Sequence, residues 1–327
     1  MKIIALMPVR NEAWVLDASL AAASAFADVI IVSDQRSTDG SQEICRRFPK
    51  VVLLDAPAGV DQLPQRARWR LLDAARNFDG HNLLWCADAD ELTPPDLARR
   101  FFSERAGELA PGRVVECRFY NLWKSETRFR QDLSYYGPIW KPMAFVDDRI
   151  ADFPRDPGRR PLHEPRMAIE EDAAAIKTTD VPVLHLQFAV WNRNQVKQAW
   201  YRCIELLSAR RSAVDINAAY EVTLPEWYVH TEPVPTPWLR ELKLPDAAAA
   251  DRSPGWHEAE VLKLFDEHGI EFFEPLEIWH VPALRREFTR RTGRQPRPDR
   301  AYLPPLSTRL ARAGGRVYRA VKRRILP

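Results

Sequence analysis

The stretch Asn82-Leu83-Leu84-Trp85-Cys86-Ala87-Asp88-Ala89-Asp90-Glu91 decides how the rest of the chain reads. A short apolar run, entered from a polar residue, stops abruptly in three carboxylates. Runs this short that are apolar at successive positions are strands buried on both faces, as in an α/β sheet. In such sheets ligands collect outside the carboxyl ends of the strands, where these acids fall. Asp88 and Asp90 are two apart, so on an extended backbone both carboxylates point the same way. Two convergent carboxylates suit a hard divalent cation such as Mg2+ or Mn2+, shared with the phosphates of a substrate. A solvated acidic turn after a core strand is the plain alternative, and the neighbouring stretches weigh between the two.

Upstream, residues 3–9 (IIALMPV) read as a first buried strand, broken by Pro8 and Arg10-Asn11-Glu12. Residues 13–27 form an Ala-rich helical stretch, and 29–33 (VIIVS) a second strand ending in Asp34-Gln35-Arg36-Ser37-Thr38-Asp39-Gly40. Ser41 is an N-cap for a helix through Arg47. Residues 51–54 (VVLL) are a third strand, and 64–78 an amphipathic crossover helix carrying Arg66 and Arg68. Strands alternating with helices at this spacing predict βαβ units and a mostly parallel sheet flanked by helices. Downstream, 114–120 and 181–188 read as strands, and 194–211 and 258–268 as helices. Residues 121–150 are mixed and aromatic, and 154–166 (PRDPGRRPLHEPR) are a stiff basic loop. Segments 231–255 and 292–307 are Pro-rich without periodicity.

Net charge is +3 over 327 residues, unevenly placed. Residues 281–327 hold fourteen Arg/Lys against two acids, a local +12 that leaves −9 on the rest. Within 306–327, Arg309, Arg312, Arg316, Arg319, Lys322, Arg323 and Arg324 alternate with apolar residues at helical spacing. That pattern predicts a basic amphipathic tail for an anionic membrane surface, with docking on the acidic body or a disordered tail as rivals. The cysteines, Cys45, Cys86, Cys117 and Cys203, are scattered without a Cys-x-x-Cys pair, which predicts reduced thiols. No early stretch reads as a signal peptide and none approaches the ~20 apolar residues of a membrane span, so the expected location is cytoplasmic, peripheral at most at the inner face of the membrane.

No Gly-x-Gly-x-x-Gly and no Walker loop follows an early strand, so dinucleotide and P-loop readings lack their phosphate cradle. Three clusters fall instead at successive strand ends: residues 8–12, residues 34–40 and residues 88–91. On these motifs the chain resembles the family 2 glycosyltransferases of the GT-A, Rossmann-like fold over about residues 1–120. A weaker likeness runs through 181–202, and a Pro/Trp-rich C-terminal extension follows. The resemblance implies a catalytic domain over 1–230, with a nucleotide-sugar half over 1–120 and an acceptor half over 121–230, then the extension and basic tail over 231–327. It also implies a metal-dependent inverting transferase that moves a sugar from a nucleotide diphosphate to a hydroxyl on a glycan, a lipid-linked molecule or another acceptor, with Mn2+ or Mg2+ as cofactor.

The implied roles go residue by residue. Pro8, Arg10, Asn11 and Glu12 frame the nucleotide with Asp34, Gln35 and Asp39, where Gln35 stands at a position many relatives fill with Asp. Arg66 or Arg68 reaches the diphosphate, Asp88 the ribose or sugar, and Asp90 the metal, with His185 a metal or diphosphate contact. A charge-neutralising cation and a general base are what the displacement requires. Asp172 and Glu171 are the expected base pair, with Glu164 and Asp132 as rivals, and an acidic helix start at residues 170–172 as the plain reading of the first two. His185 reads equally as a core histidine. Eight of eleven tryptophans follow residue 120, which fits an acceptor site in the second half. The competing classes are a catalytically inactive carbohydrate-binding or scaffold protein of the same fold, and a nucleotidyltransferase, which lacks its Gly-rich loop here. No nucleic-acid partner is expected from the body.

Overall fold

Continuous apolar runs become strands with both faces covered, and this is what builds the sheet. The computed structural model describes residues 1–55, 64–132, 136–153, 165–170, 172–209, 211–220, 229–252 and 255–299. Among these, β1 (Ile3–Val9), α1 (Ala13–Ser24), β2 (Val29–Asp34), α2 (Ser41–Arg46), β3 (Val51–Asp55), α3 (Pro64–Ala75) and β4 (Leu83–Cys86) follow the expected alternation. β1 lies between β2 and β4, β2 pairs with β3, and all four run parallel.

Then come β5 (Glu91–Leu92), α4 (Pro95–Glu104), β6 (Val114–Asn121), β7 (Arg128–Arg130), β8 (Ile139–Val146) and β9 (Ala175–His185). The sheet order is β3-β2-β1-β4-β8-β6-β9-β5. β8 is antiparallel to both β4 and β6, and β9 is parallel to β6. β6 and β9 therefore point the same way as β1–β4, and their carboxyl ends share one edge. The sheet is mixed but mostly parallel.

Alternation assigns the two faces. Ala5, Met7, Leu83 and Trp85 pack into one core with α1 and α4, while Ile4, Leu6, Leu84 and Cys86 pack into the other with α3. Each fully buried large aliphatic side chain contributes about 1.5–3 kcal/mol. The Trp85 ring meets Phe26 at 5.6 Å and Phe102 at 5.9 Å, both edge-on. Small residues Ala18, Ala22 and Ala23 let α1 lie close on the sheet.

Two differences from the sequence expectation matter for the site. The segment read as mixed holds β8, whose Lys141 and Pro142 break the apolar pattern. Glu170 lies in no described helix. Asp172 stands in an exposed turn, after which the chain enters β9 at Ala175, six residues before the expected strand.

The chain continues through α5 (Trp191–Leu207), α6 (Ala213–Ala219), β10 (Thr231–Pro233), α7 (Thr236–Leu239), α8 (Ala247–Arg252), α9 (Trp256–His268) and α10 (Pro282–Thr292). The chain forms two compact units. One comprises 1–129, 138–189 and 233–250, and the other 130–137, 190–232 and the chain from 251. The second unit packs Val261, Phe265, Phe273, Trp279 and Phe288 with α5 residues Ala199 and Cys203. Its basic end is partly neutralised: Arg290 and Arg291 bond Glu287 at 2.6 Å, and Arg291 pairs with Asp266 at 2.7 Å. The amphipathic segment 306–327 lies outside the described residues.

Candidate active site

The strand ends that meet at the site belong to the first unit. At the first two, backbone amides are answered by side chains of the opposite loop. The Asn11 amide donates to Ser37 Oγ (2.8 Å), and the Thr38 amide donates to Asn11 Oδ1 (2.7 Å). Glu12 N donates to Ser41 Oγ (3.1 Å), and Ala13 N to Asp39 Oδ2 (2.9 Å). Asn11 sits at φ 55°, a conformation asparagine tolerates better than most residues. Asn11 and Asp39, expected at the nucleotide, thus brace the two loops together. Pro8 and Val9 lie opposite Ser33 and Asp34 in the ladder, Arg10 follows half-buried, and the Gln35 amide closes on the Val9 carbonyl at 2.8 Å.

Asp34 ends β2 with 1% of its surface exposed. Its Oδ2 accepts from the Ser37 amide (3.0 Å) and from Gln42 Nε2 (2.7 Å). Its Oδ1 is buried with no hydrogen-bond partner among the described residues. A buried carboxylate oxygen left unanswered costs about 1–3 kcal/mol or more, so this oxygen is a ready acceptor for a ligand N–H or O–H.

The third end differs. Arg68, from α3, donates to Asp88 Oδ1 at 2.8 Å, and Arg166 reaches Asp88 Oδ2 at 3.4 Å. Arg166 also forks onto both oxygens of Glu91 and donates to the Cys86 carbonyl at 2.9 Å. Burial alone raises the Asp88 carboxyl, but Arg68 and Arg166 outweigh it and hold it at about 2. Lys141 of β8 completes the set: burial pushes its ammonium down while Glu91, Asp88 and Asp90 pull it up. Three carboxylates thus face three cations. Ser19 of α1 donates to the Ala89 carbonyl, which anchors the loop between Asp88 and Asp90 on the helix. Arg66 lies in α3 with its side chain outside the described residues.

Asp90 belongs to the fourth end. Its carbonyl accepts the Leu186 amide at 2.8 Å, and its carboxylate Oδ2 lies 3.5 Å from His185 Nε2. His185 Nδ1 lies 2.7 Å from Asn121 Oδ1. An amide oxygen only accepts, so Nδ1 donates to it and Nε2 is the nitrogen turned toward Asp90. A carboxylate and an imidazole nitrogen facing one another across that gap suit a shared cation, and a His held through its other nitrogen is the usual form of a metal-ligating histidine. Asp90 and His185 therefore fit a divalent cation. Among the described residues no three His, Cys, Asp or Glu groups converge as a ready-made cage, and Asp88 is bonded to arginines instead of joining the pair. Mg2+ and Mn2+ accept such partial sites, completing their shell with water and substrate phosphates.

Of the expected bases, Asp172 precedes β9 at the edge opposite His185, with the strand's length between them. Glu171 and Glu164 lie outside the described residues. Asp132, in the second unit, bonds Arg130 Nε at 2.6 Å. Arg166, Lys141, Asn121 and Gln42 were not assigned from sequence. Lys141 had a signal, a lone charge inside an apolar run.

A sheet of this order, with carboxylates at the shared carboxyl edge, defines an α/β protein of the GT-A class. Residues 4–147 match the model of glycosyl transferase family 2. The curated proteins give no match. Among solved structures the chain is similar to S. aureus TarS at 13% identity and TM-score 0.39, covering 66% of this chain and 42% of that one. The mannosyltransferase PcManGT from Pyrobaculum calidifontis, in complex with GDP-Man and Mn2+, matches at 16% identity and TM-score 0.37, covering 90% and 88%. Glucosyl-3-phosphoglycerate synthase from Mycobacterium tuberculosis matches at 20% identity and TM-score 0.29, covering 37% and 44%. The chain thus spans less than half the length of two of these three. No helix among the described residues is long and apolar enough to cross a membrane.

Proposed function

We propose that the protein is a metal-dependent, inverting glycosyltransferase that moves a sugar from a nucleotide diphosphate to an acceptor hydroxyl. The observation that carries this is the Asp90–His185 pair, with the His185 tautomer set by Asn121, beside a charge-balanced arginine–carboxylate cluster. A divalent cation held there would supply Lewis-acid neutralisation of the charge growing on the leaving diphosphate. Asp34 Oδ1 accepts from the nucleotide base or ribose, and Arg68 with Lys141 offers positive charge to the phosphates. In the displacement the acceptor oxygen bonds the anomeric carbon, the bond from that carbon to the diphosphate oxygen breaks, and the acceptor proton passes to a carboxylate base.

A screen of nucleotide sugars for Mn2+-dependent hydrolysis tests the reading, with Asp90→Ala as control. The account expects one donor to be turned over and the variant to lose several powers of ten. Normal turnover by Asp90→Ala in the presence of a chelator would remove the metal from the mechanism. Glu164→Gln against Asp172→Asn separates the expected bases: the true base lowers kcat with donor affinity intact. The position of Asp172, at the far edge of the sheet, counts against it as the base.

A further inference from the structure

β3 stands at one end of the sheet order, and among the described residues no strand pairs with its outer edge. The opposite end of the sheet is protected by brevity, since β5 is two residues long. β3 has no such protection. From Val51 to Leu54 it carries no proline and no charge, and Val52 is 42% exposed. An open apolar edge of this kind is a template for another strand.

The ladder fixes which groups that edge offers. Ile30 of β2 donates to the Lys50 carbonyl at 2.8 Å, so the parallel register turns the backbone groups of Val52 and Leu54 toward β2. Val51, Leu53 and Asp55 therefore direct their N–H and C=O groups outward. Two of these groups are already engaged: the Val51 N–H donates to the Phe48 carbonyl at 3.0 Å, and the Asp55 carbonyl accepts from Arg70. The Val51 carbonyl, both Leu53 groups and the Asp55 N–H remain.

A two-fold axis at Leu53 answers each of these. Laid antiparallel on itself, β3 sets Leu53 opposite Leu53 of a second copy, where the two exchange a pair of hydrogen bonds. It also sets Val51 opposite Asp55, and each Asp55 N–H donates to a Val51 carbonyl. The bond that would complete each Val51–Asp55 pair calls only on the two engaged groups, so none is left stranded. Moving the axis to Val52 or Leu54 halves the bonds within β3, because every pair then contains an engaged group. The axis at Leu53 also lays Val52 of one copy against Leu54 of the other, on the face where Leu54 joins the α3 core.

We propose that the chain pairs with a second copy of itself through β3, antiparallel about Leu53, so that two eight-stranded sheets join edge to edge. Five residues a side fall well short of the ~20–30 of a standard interface, so this dimer is weak and forms with rising concentration. Sedimentation velocity of the full chain across the micromolar range is expected to show one copy giving way to two. Leu53→Pro removes an outward N–H without touching the β2 ladder, and Val52→Lys sets a charge against Leu54. Each should weaken the dimer about tenfold or more, since the symmetry applies every change twice. Circular dichroism shows whether the variants fold, and cross-linking decides the matter where Leu53→Pro does not. Val52→Cys and Leu54→Cys are mixed under mild oxidation, the native thiols being buried. Directly opposite residues of a non-hydrogen-bonded pair have Cα atoms about 4.5 Å apart, within reach of a disulfide. A linked dimer is expected from the mixture and far less from either variant alone. A native chain that stays single at every concentration would overturn the proposal. So would a dimer undiminished in folded Val52→Lys, or linkage as strong in the separate variants as in the mixture.

Discussion

Asp34 and Asp88 are the same residue at the same edge of the same sheet, and the chain treats them in opposite ways. Among the described residues Asp34 is buried with no ion pair, bonded on one oxygen by an amide and a glutamine and left open on the other. Asp88 is clasped by two arginines and held near the acid end of the scale. A strand-end carboxylate is thus not a function in itself, because its neighbours decide whether it waits for a ligand's hydrogen or balances a cation. On the proposed function the unanswered oxygen would meet a base or ribose, and the balanced one would sit in a cluster that a diphosphate enters by exchange.

Removing the shared cation breaks that contrast most severely. Arg166→Met leaves Glu91 buried with neither of its fork bonds, and breaking a buried pair by removing one partner costs about 3–5 kcal/mol. A urea midpoint far below the native one is expected, and an unchanged midpoint would mean that the cluster does not hold the loop. The next effect is on ligand binding. Asp34→Asn replaces an acceptor oxygen by a donor and should weaken UDP or GDP by about 1.5–3 kcal/mol, ten- to hundredfold, with little loss of stability. Equal nucleotide affinity in the variant would take the base and ribose away from β2.

A smaller effect concerns acid. The Asp88 carboxyl is lowered from 3.8 to about 2, so its contribution to stability is present above pH 4 and is lost as pH falls through 2. Asp88→Asn should therefore flatten the acid limb of the stability curve between those values, and an identical limb would detach Asp88 from its arginines. The smallest effect is on the thiols. All four cysteines are buried, and burial first, with Asp34 second, pushes Cys45 up to about 12. Burial likewise takes Cys86 to about 12. None should react with iodoacetamide at pH 8 until the chain unfolds.

The contrast also marks what the sequence could carry. Strands β1, β2 and β4 are legible because both faces are buried and the run is continuous, and their ends name Asp34, Asp88 and Asp90. β8 was hidden because Lys141 and Pro142 interrupt it, and with it went the third cation. Arg166 could not be found by spacing: it reaches Glu91 and Asp88 across 75 and 78 residues of chain. The Glu171-Asp172 pair is expected from the family resemblance alone, and β9 leaves Asp172 at the edge away from His185.

The central claim is that Asp90 and His185, oriented by Asn121, hold the divalent ion that meets the donor diphosphate. Free Mn2+, read by its electron-spin resonance signal, tests it during titration of the chain with and without UDP or GDP. The account predicts that the native chain withdraws Mn2+ from solution when the right nucleotide is present. Asp90→Ala and His185→Ala should lose that capacity, and Asn121→Ala should weaken it about 10–100-fold. Undiminished Mn2+ uptake by Asp90→Ala and His185→Ala, with nucleotide present, would contradict it.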